Sequence, residues 1–103
     1  MTKRALKTAE VVVVKKKLSV SLDTEQVITI FKPFARTVSW YADSSDITDF
    51  YILVSPDGEN FFKFLARKST TCWADTKDIA FPWVALKAAE ASGQTANLLI
   101  AAC

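Results

Sequence analysis

Phe50-Tyr51-Ile52-Leu53-Val54-Ser55 is followed by Pro56-Asp57-Gly58-Glu59-Asn60 and then by Phe61-Phe62-Lys63-Phe64-Leu65. Two runs of β-branched and aromatic residues flank a cluster of turn formers, the pattern of a β-hairpin. Pro56 fixes φ for the first corner of the turn. Asp57 can bond its own backbone, and Gly58 supplies a positive φ at no steric cost. Two strands alone are marginal in water, so the hairpin must belong to a larger sheet. Its aromatic load requires that sheet to pack against apolar surface.

The rest of the chain extends the same theme. Val11 to Val14 is a β-branched run, and Leu18, Val20 and Leu22 alternate with Lys17, Ser19 and Ser21. Such alternation marks a strand with one buried face. Asp23-Thr24-Glu25 reads as a turn, and Gln26 to Phe31 as a strand that Pro33 either ends or places at an edge. Ala35 to Ala42 places Val38 and Trp40 on one face and Thr37, Ser39 and Tyr41 on the other. The polar stretches Asp43–Asp46, Arg67–Thr71 and Asp75–Asp78 read as loops or turns around a short strand at Thr71–Ala74.

Ala85 to Ala91 contains helix formers and is followed by Gly93, where a helix C-cap would stand. Its apolar part is short, and Trp83 and Val84 favour a sheet, so a strand over Trp83–Ala88 and a turn at Glu90–Gly93 are expected. Asn97 to Cys103 closes the chain as an apolar strand. These signals give about seven or eight strands with turns roughly every 8–12 residues. The expected fold is all-β: an antiparallel, jelly-roll-like β-sandwich over residues 10–103, preceded by a flexible basic arm over residues 1–9.

The totals fit one globular domain. The chain has 103 residues, half of them apolar and 12% aromatic, with a net charge of +2. A chain of this size buries roughly 60% of its unfolded surface, enough for one core. The charge is uneven: residues 1–17 hold Lys3, Arg4, Lys7, Lys15, Lys16 and Lys17 against Glu10 alone, which leaves the remainder mildly acidic. The arm either touches a polyanion or an acidic neighbour, or is a solvated terminus. The apolar run near the N-terminus is too short for a signal peptide, and no segment is long enough to span a membrane. Production in a reducing cytoplasm is therefore expected. Cys72 and Cys103 lack a metal-type spacing and are expected as small buried or half-buried hydrophobes, with a disulfide only if their strands are neighbours.

Little points to catalysis. The chain has no His, which removes Ser–His and Cys–His nucleophile pairs, and Gly58 and Gly93 are its two glycines, too few for a phosphate loop. Asp43, Asp46 and Asp49, and Asp75 and Asp78, are acidic clusters without the ligand order of a calcium loop. No enzyme activity and no cofactor are expected. Trp40, Tyr41, Trp73, Phe81 and Trp83 would form either a stacking platform for sugars or bases, or core and subunit-interface surface. Few basic residues interleave with the aromatics, so a nucleic-acid partner is not expected.

The order of an apolar strand, Ser55-Pro56-Asp57-Gly58-Glu59-Asn60-Phe61, a variable loop, Pro82-Trp83-Val84-Ala85-Leu86-Lys87, Ser92-Gly93-Gln94-Thr95 and a terminal apolar strand resembles small β-sandwich structural proteins of bacteriophage virions. The likeness covers roughly residues 36–103. Discoidin-like carbohydrate- or lipid-binding modules share the hairpin. An Arg common in the strand after the proline is replaced here, Lys87 being the nearest equivalent. The resemblance implies a virion protein of the capsid decoration, or cement, type, assembled in the host cytoplasm. Its implied partners are the major capsid protein and copies of itself, commonly as a homotrimer. On this reading Lys3, Arg4, Lys7, Trp40, Tyr41, Trp73, Phe81 and Trp83 are interface residues, and Pro56, Asp57 and Gly58 form the hairpin turn. The alternative is a glycan-binding β-sandwich module of a fibre or tail.

Overall fold

A computed structural model describes residues 14–32 and 36–103. The arm expected over residues 1–9, with Lys3, Arg4 and Lys7, lies outside the described residues. The strands are β1 (Val14–Ser21), β2 (Gln26–Phe31), β3 (Thr37–Ser55), β4 (Phe62–Asp78), β5 (Trp83–Ala88) and β6 (Thr95–Ala102). Every pairing is antiparallel. Among the described residues there is no helix, and Trp83–Ala88 is a strand.

Among the described residues six strands stand where seven or eight were expected, because three polar stretches read as loops or turns are strand. Asp43–Asp46 lies inside the 19-residue β3, and Arg67–Thr71 and Asp75–Asp78 lie inside the 17-residue β4. β4 is an edge strand exposed along nearly its whole length, with Trp73 as its buried residue. A strand with no buried face carries no apolar alternation, so its composition looks like loop.

The expected two-sheet sandwich is likewise one six-stranded sheet, in the order β1-β6-β3-β5-β2 with β4 on the other edge of β3. β3 is long enough to serve both halves. Val38–Ser44 pairs with β6, and Phe50–Ser55 pairs with β5. The ends of the path, β1 and β2, lie against each other, so the sheet curls into a nearly closed, barrel-like form.

Where β3 passes from β6 to β5, side chains and irregular bonds replace the ladder. Thr95 N donates to Ser45 Oγ (3.0 Å), Gln94 Nε2 to the Ile47 carbonyl (3.1 Å), and Ala89 N to the Asp49 carbonyl (3.0 Å). Asp49 Oδ1 accepts from Ser69 N (2.9 Å), at the one non-glycine with positive φ among the described residues. The β3–β4 register also shifts here, the local disruption a β-bulge brings.

The core is one cluster. Val38, Trp40, Ala42, Leu98 and Ile100 from one half meet Phe50, Ile52, Val54, Ile28, Ile30, Val84 and Leu86 from the other. Each fully buried Ile, Leu or Phe contributes about 1.5–3 kcal/mol relative to exposure. Phe50, Ile52 and Val54 are fully buried, while Tyr51 and Leu53 point outward, half-buried. On the return strand a register shift breaks simple alternation: Phe62 pairs with Val54, and Leu65 with Ile52. Lys32 is buried (2% exposed), and its amine donates to the Ile79 carbonyl. Cys72 and Cys103 are free and exposed, not buried, because one sits on the open edge strand and the other at the chain's end.

Candidate functional site

Directly paired residues share a face of the sheet, so the register shows what each outer face presents. The two halves differ. Over β2, β5 and the second part of β3, the outer face carries Val27, Phe31, Trp83, Leu53 and Tyr51. Val27 and Phe31 are 42% and 47% exposed. Lys63 and Lys87 stand over the Tyr51 ring, 4.8 and 5.5 Å from its centroid, and Lys87 reaches Glu25 at 3.3 Å. This face is apolar and aromatic with a cationic margin.

The hairpin tip borders it. Gly58 has φ +80°, and Trp83 lies against it. The Phe31 ring packs on Trp83 at 4.5 Å, and Phe62 meets Phe81 edge-on at 5.3 Å. Asp57 organises the turn: Oδ1 accepts from Ser55 Oγ, Glu59 N and Asn60 N, each at 2.9 Å, and Oδ2 from Asn60 Nδ2 at 2.8 Å. These donors hold its carboxyl well below the usual carboxylate range. Ser55 Oγ in turn accepts from Gly58 N at 2.9 Å.

Over β1, β6 and the first part of β3, the outer face is polar. Ser19, Asn97 and Asp43 form one rung, and Lys17, Leu99 and Tyr41 the next. Ser19 Oγ donates to Asn97 Oδ1 (2.6 Å), and Asn97 Nδ2 donates to Asp43 Oδ1 (2.9 Å). The Asp43 carboxylate, accepting from the Tyr41 hydroxyl, raises that phenol above its ordinary range. These residues line a shallow groove of about 390 Å³.

The residues singled out in the sequence thus separate. Trp40 and Trp73 are core residues, 3% and 6% exposed and edge to face at 5.2 Å, and they offer a neighbour no surface. Tyr41 lies on the polar face. Phe81 and Trp83 are half-buried beside the hairpin tip, with Pro56, Asp57 and Gly58 in the connection between β3 and β4. No single platform joins the five aromatics. Among the acidic residues of the two clusters, Asp46 and Asp75 bond locally, Asp46 Oδ1 accepting from Ile47 N (2.8 Å) and Asp75 Oδ1 from Thr76 N (2.7 Å), whereas Asp43, Asp49 and Asp78 accept from distant segments. Among the described residues no three His, Cys, Asp or Glu gather as a metal site. Sequence reasoning missed Val27 and Phe31 on one face and Ser19, Asn97 and Asp43 on the other. Strand alternation placed Ser19 outward, but the rung across β1, β6 and β3 joins residues far apart in the chain.

No family model and no curated protein matches the chain. Solved structures do. The SPBc2 prophage-derived protein YomS is similar with a TM-score of 0.64 over 94% of this chain and all of that one, at 9% identity. The Yersinia pseudotuberculosis-derived mitogen is similar with a TM-score of 0.52 over 87% of this chain and 83% of that one, at 13% identity. At such identities the likeness is one of fold.

Proposed function

We propose that the chain is a virion structural protein of the capsid decoration type, acting by adhesion and performing no turnover. Its partners are the major capsid protein and further copies of itself, assembled as trimers on the particle. The observation that carries this reading is the outer face on which Val27 and Phe31 are exposed, with Leu53 and Trp83 half-buried beside them. Exposed apolar side chains set among polar ones mark protein–protein contact, and here they lie on regular sheet that can meet a partner without rearrangement. The fold shared with a prophage-derived protein over the whole of that chain agrees with a phage origin.

The test is whether gradient-purified particles contain the chain in amounts comparable to capsid subunits. The Phe31→Asp variant, which charges the apolar face at an exposed position, should fold and fail to join particles. Absence of the wild-type chain from particles, or normal incorporation of Phe31→Asp, would overturn the reading.

A further inference from the structure

We infer that the polar face over β1, β6 and β3 is a saccharide-binding site, with Tyr41 as the stacking ring and Asp43, Asn97, Ser19 and Lys17 as hydroxyl partners. This goes beyond the assembly role and does not depend on it. A pyranose offers one face of C–H groups and a rim of hydroxyls that both donate and accept. The groove offers the complement. Tyr41 is 42% exposed and sits beside Leu99, giving a flat apolar floor on rigid strand. Its aromatic body supplies contact area at little conformational cost.

The polar rung is preorganised. Ser19 and Asp43 both bond Asn97, so three side chains from three strands are linked to one another before any ligand arrives. Each keeps capacity to spare. Asn97 Nδ2 uses one of its two hydrogens on Asp43. The Asp43 carboxylate has further acceptor sites, and Ser19 Oγ can still accept. Lys17 adds donors on the neighbouring rung. Acceptors and donors thus stand within one groove of about 390 Å³, inside the usual range for small-ligand sites. The apolar face of the other half presents no such row of hydroxyl and amide groups.

The test uses the whole chain. A glycan array identifies retained sugars. Glucose, galactose, mannose and N-acetylglucosamine are then titrated singly while backbone amide NMR shifts are followed. Shifts centred on residues 17–19, 41–43 and 97–99 are expected. Tyr41→Ala and Asn97→Ala should each weaken binding about tenfold, the loss of one good contact, while Tyr41→Phe, which keeps the ring, should retain most of it. All three should keep wild-type thermal midpoints and enter particles like the wild type, which separates this site from the assembly face. No retained glycan and no amide shift would overturn the inference. Shifts centred on β2 and β5, or equal losses for Tyr41→Phe and Tyr41→Ala, would overturn it too.

Discussion

The indole of Trp83 lies so close to Gly58 that a Cβ at position 58 would stand 2.7 Å from its Cε2. Gly58 also has φ +80°, a conformation that side chains other than glycine's rarely take. The turn that reverses β3 into β4 is therefore locked to β5 by a contact only glycine permits. Gly58→Ala meets both penalties, roughly 1 kcal/mol from the backbone and roughly 1–3 kcal/mol from overpacking. In a Trp83→Ala background the overpacking cost disappears and about 1 kcal/mol remains. Denaturant unfolding of the four-member cycle reads the difference.

Asp57 gives the fold an acid-sensitive joint. Its folded pKa lies below the unfolded value because backbone and side-chain donors of Asn60, with Glu59 and Ser55, favour the charged form. The unfolded chain thus binds a proton first as pH falls. The contribution is fully present above the unfolded value of about 3.9 and is lost on acidification toward the folded one. Asp57→Asn should lower the thermal midpoint at pH 7. Between pH 4 and pH 2 its midpoint should fall less steeply than that of the wild type.

Lys32 should act at the other end of the scale. Burial pushes its amine below the ordinary lysine range. The unfolded chain then holds the proton to higher pH, so stability rises as the folded amine loses its proton and levels off above about 10.4. Lys32→Met removes that rise. The midpoint of the wild type relative to Lys32→Met should increase between pH 7 and pH 10 in thermal melts.

Trp73 is the point at which the exposed β4 is anchored. Trp73→Ala should cost about 3–5 kcal/mol, the range for a buried aromatic. Tyr41→Ala, on a residue paired with the next position of β4, should stay within about 0.5 kcal/mol because its ring is on the outer face. Urea titrations compare the two.

The Tyr41–Asp43 pair is open to direct titration. The carboxylate raises the phenol's pKa, so Asp43→Asn should bring Tyr41 ionisation to lower pH. The chain has two tyrosines, and a Tyr51→Phe background isolates the phenolate absorbance of Tyr41.

Strand character and the in–out order of Phe50 to Val54 were legible because β-branched and aromatic residues suit a half-buried pleat, and alternation is a local property of the chain. The turn chemistry of Asp57 and Gly58 is local as well. The length of β4 was not legible. Arg67 to Thr71 and Asp75 to Asp78 are polar because nothing covers them, and their main-chain partners lie on β3, some twenty to forty residues away. The same distance hid the two outer faces. Asp43 becomes part of a groove only because β6 returns beside it and carries Asn97 into reach. Local sequence determined which segments are strand and which side chains seek the interior. Only the tertiary structure decided that one strand would serve three neighbours, that the sheet would be single and curled, and which outward residues would stand together. Periodicity reports burial along a segment, whereas juxtaposition across strands depends on hydrogen-bond register between distant segments.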